Sequence, residues 1–478
     1  MTEEILAAHH PRRIVSGDLK TLAGDERVGL LNKLPPRNGT YVLYWMQQAQ
    51  RAEDNPALER ALAAANALDL PLAVCFGLTD DYPEANLRHY AFMLQGIRET
   101  ATALAARGIR FVLRLGSPDR VALALAADAA LLVCDGGHLR HQRRWQQTVA
   151  EVAACPVVRV ETDVIVPPDR VSTKAEYAAR TLRPKIQRQV TDFLFLPAPT
   201  PTHRRADGLK LAGEAPGDLS ALVARLSIDH SVTPVDRWFV GGTREAKRRF
   251  EAFLSKGLQG YAENANQPQT DGVSRMSPYL HFGQISPTWL ALRVQEAEAS
   301  AADRAAYLEQ LVVRRELAIN FVRHTPGYDT FDGLPDWARR SLETHRRDPR
   351  SHRYSPAQIE AGETHDAYWN AAMAEMRVTG FMHNTMRMYW GKQVLAWSPS
   401  PEAAYETLIR LNNRYSLDGR DPNTYAGVGW IFGLHDRPWP ERPVFGKVRT
   451  MTASGLRRKY AIDAYVAKIA AKTKKNER

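Results

Sequence analysis

Two serines three positions apart mark the first stretch where residue type and spacing suggest chemistry. Ser274 and Ser277, in Val273-Ser274-Arg275-Met276-Ser277-Pro278, follow Gly260-Tyr261 and a polar loop and precede a helical pattern. Hydroxyls and free backbone N–H groups at a helix start make a cradle for phosphate. A plain helix cap is the simpler use of the same residues. Tyr261 could hydrogen-bond that phosphate, and Arg315, in a downstream helix, could add charge. A second group shares one helical face: His383, Arg387, Trp390, Val394 and Trp397 stand at i, i+4, i+7, i+11 and i+14. A buried Arg387 needs a carboxylate. Asp418, in Asp418-Gly419-Arg420-Asp421-Pro422-Asn423, is a candidate. The face is either a core helix with an ordinary ion pair or the aromatic, water-excluding wall of a pocket for a flat cofactor. Trp369 and Trp390 could sit side by side on neighbouring helices, as core packing or as an electron relay. Their spacing does not separate the two.

A third group runs from Trp430 to Lys459. Trp430, Trp439 and Phe445 alternate with Arg437, Arg442, Lys447, Arg449, Arg457, Arg458 and Lys459. Cations for phosphates beside aromatics for exposed bases compose a nucleic-acid surface. A solvated charged loop is the bland alternative, and aromatics suit it poorly. The whole chain leans the same way: 64 Lys and Arg against 53 Asp and Glu give a net charge of +11 over 478 residues, a surface that attracts polyanions or merely aids solubility.

The elements that must position these groups are legible in outline. Thr40 to Trp45, Pro71 to Leu78, Arg110 to Leu115, Leu131 to Asp135 and Val157 to Val164 are short apolar runs bounded by Gly, Pro and Asp. Helical segments lie between them at Asn55 to Leu68, Glu84 to Arg107, Pro118 to Ala127 and Leu139 to Ala153. Strands alternating with helices predict a doubly wound parallel sheet, Rossmann-like but without a dinucleotide fingerprint. The proline-rich Leu196 to His203 and the polar stretch to Gly217 read as a linker. Beyond it the strand signal ends. Helical periodicity runs through Glu245 to Gly257, Pro287 to Ala297, Ala301 to His324, Ala367 to Trp397 and Pro401 to Asn412. Gly327 to Asp336 and Asp418 to Pro443 read as long loops and Lys468 to Arg478 as a frayed basic tail. The expected architecture is therefore α/β plus all-α: a sheet domain over 1–195, a linker over 196–217 and an all-helical domain over 218–478. Cys75, Cys134 and Cys155 share no short spacing, so neither a disulfide framework nor a metal site is expected. No apolar run is long enough to cross a membrane. Glu3 and Glu4 open the chain without a signal-peptide pattern, so a cytoplasmic location is expected.

At these residues the chain resembles the class II cyclobutane pyrimidine dimer DNA photolyases, within the photolyase/cryptochrome family, nearly end to end. The likeness rests on Tyr44-Trp45-Met46-Gln47 with Arg51 and Asp54-Asn55, Arg88-His89-Tyr90, Arg183-Pro184-Lys185 and Ser274-Arg275-Met276-Ser277-Pro278-Tyr279. It continues through Val313-Arg314-Arg315-Glu316-Leu317, Tyr328-Asp329, Asp418-Gly419-Arg420-Asp421-Pro422-Asn423 and His435-Asp436-Arg437-Pro438-Trp439. The resemblance implies an antenna-type α/β domain, a helical domain holding FAD in a bent form, and blue-light repair in which reduced FAD gives an electron to a pyrimidine dimer extruded from DNA. It implies that Tyr261, Val273, Ser274, Arg275, Met276 and Ser277 take the FAD phosphates, with Arg315 and Asp421 also at the cofactor. Arg387 and Asp418 would bracket the isoalloxazine, and Asn412 would face its N5. Trp390 and Trp369 would feed electrons during photoreduction, Met388 and Trp430 would line the dimer pocket, and Arg437 and Arg449 would hold the opened duplex. The sheet domain could hold an antenna chromophore of deazaflavin type, another chromophore or none, and a monomer acting on dimer-containing DNA is expected. One departure stands out. The family's Glu-Glu pair is Glu309-Gln310 here, so either Gln310 fills the lesion-contacting carboxyl position, without a proton to give, or Glu309 does that work. A cryptochrome-like photoreceptor and a nucleic-acid binder without FAD are the competing readings.

Overall fold

The computed structural model describes residues 26–35 and 37–476. Glu3, Glu4 and the last two residues lie outside them. Six strands form one sheet in the order β1-β6-β5-β2-β3-β4. They are β1 Val28–Leu30, β2 Tyr41–Trp45, β3 Leu72–Leu78, β4 Arg110–Leu115, β5 Ala129–Asp135 and β6 Val157–Val160. All pairs are parallel except β1 with β6. Every residue of β2, β3 and β5 is buried, because helices cover both faces and leave no side for water. These helices are Pro56–Ala67, Leu87–Ala106, Pro118–Ala126 and Arg140–Val152. The doubly wound parallel sheet and the helical second half are as expected, with local corrections. The run Val157 to Val164 pairs only to Val160 and then turns away. The antiparallel edge strand β1 was not expected at all.

The helical half corrects the sequence reading in four places. Ala301 to His324 is not one α-helix: Ala301–Leu308 passes through a π-turn, Glu309–Arg314, into Arg315–His324. Ala367 to Trp397 breaks at Gly380, whose φ of 72° ends Ala367–Thr379 before Asn384–Trp397 begins. The expected loop from Asp418 contains the helix Pro422–Ile431, capped by Asp421. The tail is helical over Ile462–Asn476, and Lys468 ties it down by donating to the carbonyls of Pro268 and Thr270. Among the described residues no helix is long and apolar enough to cross a membrane.

The two halves are locked by buried cations. Arg88 donates to the carbonyls of Met376, Arg377 and Tyr415, at the last turns of two helices of the second half, where carbonyls lack intrahelical partners. Arg51, fully buried, reaches Asp163 Oδ1 at 2.6 Å and Gly283 O at 2.9 Å. Gly283 (φ 60°) must be glycine: a Cβ there would stand 1.7 Å from Gln48 O. Residues after the proline-rich stretch run back along the sheet. Ala206 N bonds to Gly108 O, and Glu214 N bonds to Leu113 O.

Candidate functional site

The phosphate-type stretch is a loop that runs into a short helix, so Ser277 stands at the helix start as expected. The helix is Ser277–His281 and its N-cap is Met276, so Ser274 lies in the preceding loop. Arg275 holds φ at 56° and turns the backbone there. Among the described residues, no backbone N–H from Val273 to Ser277 finds an acceptor in the protein. Successive free amides around a left-handed residue form a concave nest for an anion. Ser274 Oγ meets Tyr307 OH at 2.9 Å, and the Tyr261 ring packs edge-on to Tyr307, with centroids 5.2 Å apart. The Arg275 side chain turns aside to Asp271 and lies over Phe381, so Arg275 serves the nest through its backbone.

Three helices bring the second group together. Asn384–Trp397 carries Arg387, Pro401–Tyr415 carries Asn412, and Asp418 stands just before Pro422–Ile431. Arg387 Nη2 reaches both Asp418 oxygens, at 3.3 and 3.4 Å, a loose pair that leaves Arg387 Nε and Nη1 without protein partners. Asn412 is 1% exposed; its Nδ2 donates to Thr424 Oγ1 at 3.1 Å, and Thr424 in turn donates to Asp418 O at 3.0 Å. Thr424 was not foreseen, because its role exists only where helices distant in sequence meet. Arg315 and Asp421 lie elsewhere, in a separate polar cavity between the halves with His138, Asp163, His281 and Asn423. Burial alone would raise the Asp421 carboxyl. The hydrogen bond from His281 and nearby positive charge instead hold it at about 2.

Trp369 and Trp390 are both fully buried, and Trp369 Nε1 donates to Trp390 O at 2.9 Å. The Trp397 ring packs edge-on against Trp369, with centroids 5.3 Å apart. Trp390 Nε1 is buried with no partner.

The third group forms a cationic rim. Arg437 and Arg449, both exposed, lie over the Trp439 ring at 5.3 and 5.1 Å. The loop carrying Arg437 is pinned to the first half by Tyr177 OH donating to Asp436 O at 2.6 Å. Trp430 is half-buried beneath Arg314, 5.2 Å away. Met388 is partly buried against the helical core. Lys392, buried on Asn384–Trp397, donates to Ile431 O and so caps the helix that carries Trp430; burial pushes its ammonium down to about 7. Glu309 is engaged by Arg183 at 2.8 Å and by Arg314 at 3.2 Å, whereas Gln310 is exposed.

A further cavity lies outside the carboxyl ends of β2 and β3, enclosing ≈ 680 Å³ with its open mouth included. Met46, Phe76, Leu78, Met93 and Trp145 give it apolar walls. Both amide atoms of Gln47 are buried beside it without partners. Asp135 fixes this loop by accepting the N–H groups of Gln47, Gln48 and Ala49.

Comparison with known proteins gives a consistent result. Residues 42–204 match the DNA photolyase family. The chain is 45% identical over 446 residues to a deoxyribodipyrimidine photo-lyase of Methanothermobacter thermautotrophicus, covering 93% of this chain and 98% of that protein. It is 39% identical to one from Potorous tridactylus, covering 89% and 81%. Among solved structures it is similar to a class III photolyase from Agrobacterium tumefaciens, with a TM-score of 0.68, 18% identity, and 92% and 87% of the two chains covered.

Proposed function

The chain belongs to the DNA photolyase family, and on that premise we propose that it repairs DNA in light, splitting cyclobutane pyrimidine dimers with FAD held in its helical half. The unspent N–H groups from Val273 to Ser277 carry this reading. They are donors a diphosphate would satisfy, and buried or half-buried amides rarely go without partners. Arg387 Nε and Nη1, likewise free, suit the polar edge of a flat ring system, and Asp418 holds the guanidinium level. When bound, FAD in its reduced, light-excited form supplies the electron that opens the cyclobutane ring and takes it back afterwards.

The remaining work belongs to the chain. Asn412, oriented by Thr424, would offer a hydrogen-bonding amide to the flavin N5. Trp390 and Trp369 give a buried route for electrons that restore the reduced cofactor. Tyr261 and Ser274 would border the phosphates, whereas Arg315 and Asp421 line the separate polar cavity. Met388 and Trp430 wall the dimer pocket. Arg437 and Arg449 hold the strands around the gap, a service that a fixed cation performs without reading sequence. A dimer stacks and pairs poorly, so its extrusion costs less than that of an intact base. The apolar cavity beside β2 and β3 suits a planar antenna chromophore of deazaflavin type, with the Gln47 amide as its polar anchor.

The experiment is reconstitution with FAD followed by illumination of a dimer-containing oligonucleotide, with a dark control. Repair in light alone supports the reading. Flavin binding with light-driven reduction but no dimer loss would favour a photoreceptor, and a preparation that cannot take up FAD would exclude both.

A further inference from the structure

Among the described residues the segment Glu309–Arg314 is the one π-turn. An extra residue in a helical turn throws the side chains that follow out of step, and such turns gather at functional sites. Here the consequences are specific. The Glu309 carboxylate is fully committed, taking Arg183 Nε at 3.1 Å and Nη2 at 2.8 Å together with Arg314 Nε at 3.2 Å. Gln310 points to solvent with no protein partner. The Arg314 guanidinium lies 5.2 Å above the centre of the half-buried Trp430 ring. Only its Nε is spent, so its two terminal nitrogens have no acceptor in the protein. Arg183, Glu309, Arg314 and Trp430 thus form a continuous chain of contacts from the first half of the molecule to the helix Pro422–Ile431.

We propose that Arg314 is a substrate-contacting residue: it covers the face of Trp430 until a pyrimidine dimer enters, then lies against the dimer's carbonyl edge and supplies there the positive charge that Gln310 lacks. This rests on the reading of Trp430 as a wall of the dimer pocket. Arg314 covers a face of Trp430 that would otherwise be open to a flat pyrimidine ring. A guanidinium is planar and weakly hydrated, and it exchanges one flat partner for another at little cost. Glu309, itself anchored by Arg183, limits how far it can swing.

The electron balance fits. One electron enters the dimer and its charge settles on a carbonyl oxygen. The two terminal nitrogens of Arg314 hold that oxygen without giving up a proton, the C5–C5′ and C6–C6′ bonds that join the two pyrimidines break, their C5–C6 bonds become double, and the electron leaves again. A cation held beside developing charge stabilises it, the more so once the entering dimer displaces water. A carboxamide at Gln310 donates a hydrogen bond but carries no charge.

The test compares Arg314→Met, Arg314→Lys and Arg314→Met with Gln310→Glu in the FAD-loaded protein. It reads dimer-oligonucleotide affinity, repair per absorbed photon at saturating DNA, FAD content and the rate of flavin photoreduction. Arg314→Met should lower repair per bound dimer several-fold while FAD content and photoreduction stay at the parent level. Arg314→Lys and the added Gln310→Glu should each restore part of the loss. The proposal is overturned if Arg314→Met repairs bound dimer at the parent yield and merely flattens the salt dependence of binding, the mark of a phosphate contact. It is equally overturned if Met and Lys variants both lose FAD along with repair, the mark of a structural brace. Trp430→Ala separates the underlying reading: parent-level affinity for dimer in that variant would remove the pocket itself, whatever Arg314 does.

Discussion

Replacing Thr424 by valine removes one hydroxyl from the centre of the helical half and changes almost nothing else in shape. Thr424 is 2% exposed and Asn412 is 1% exposed, so water cannot substitute for the lost group. The single hydroxyl proton is spent on Asp418 O, at 3.0 Å, so the oxygen can only accept from Asn412 Nδ2, at 3.1 Å. That fixes which end of the Asn412 amide faces which way. The other anchor, Ser416 Oγ to Asn412 Oδ1 at 3.4 Å, is long and weak. Thr424→Val leaves a buried carbonyl and a buried amide N–H unpartnered, each costing about 1–3 kcal/mol, so a loss of roughly 2–4 kcal/mol is expected after partial relaxation. The functional effect is separable. A hydrogen bond worth about 1–1.5 kcal/mol holds the amide in one orientation by roughly tenfold; without it the two orientations become comparable and the correctly turned fraction falls to about half. Chemical denaturation measures the first quantity. The rate at which blue light and an external donor accumulate reduced flavin measures the second, and it should fall about in proportion. A variant that loses stability as calculated yet photoreduces at the parent rate would refute the claim that Thr424 orients Asn412.

Three further outcomes are expected. Trp390→Phe should stop photoreduction while protein reduced chemically still repairs; equal loss of both would make Trp390 a packing residue only. Arg437→Ala should weaken damaged-DNA binding by about 1 to 3 kcal/mol and lower the salt slope by about one, with unchanged affinity removing it from the interface. Glu316 is buried and accepts N–H groups from Ile165 and Val166, and burial raises its carboxyl from 4.5 to about 7. With the folded-state value raised, its contribution is full below pH 4.5 and fades as pH rises through about 7. Glu316→Gln keeps an acceptor for both N–H groups, so stability should fall less steeply between pH 5 and 7, by about 1.4 kcal/mol per unit at most. Parallel pH profiles for parent and variant would contradict this.

The sheet was readable because β2, β3 and β5 are buried on both faces and so appear as unbroken apolar runs. The edge strand β1 escaped because Val28-Gly29-Leu30 is three residues long, with a glycine at its centre. Periodicity placed the helices of the second half but not their interruptions. A π-turn adds a residue without disturbing the apolar count over Ala301 to His324, and the stop at Gly380 is one residue inside a longer pattern. Pro422–Ile431 does not read as a helix because Gly427 and Gly429 depress its helical signal, whereas its stability comes from packing. Arg387 with Asp418 was accessible from helical spacing and the need of a buried cation for a partner. Thr424, Lys392 and the stacking of Arg314 on Trp430 were not, since each depends on helices far apart in sequence meeting at one point. The stretch Val273 to Ser277 reads as a helix start, which holds for Met276 and Ser277, while Val273 to Arg275 lie in the loop before it. A left-handed Arg275, not a capping serine, creates the free amides.

The proposed activity requires that the helical half carry FAD and use its light-excited reduced form on a pyrimidine dimer. Its most direct test follows dimer content in a defined oligonucleotide held with the chemically reduced, FAD-loaded protein under blue light and in darkness. Dimers should disappear under illumination, two intact pyrimidines should replace each one, and nothing should change in the dark. Dimers that survive illumination while bound to fully loaded, reduced protein would contradict it.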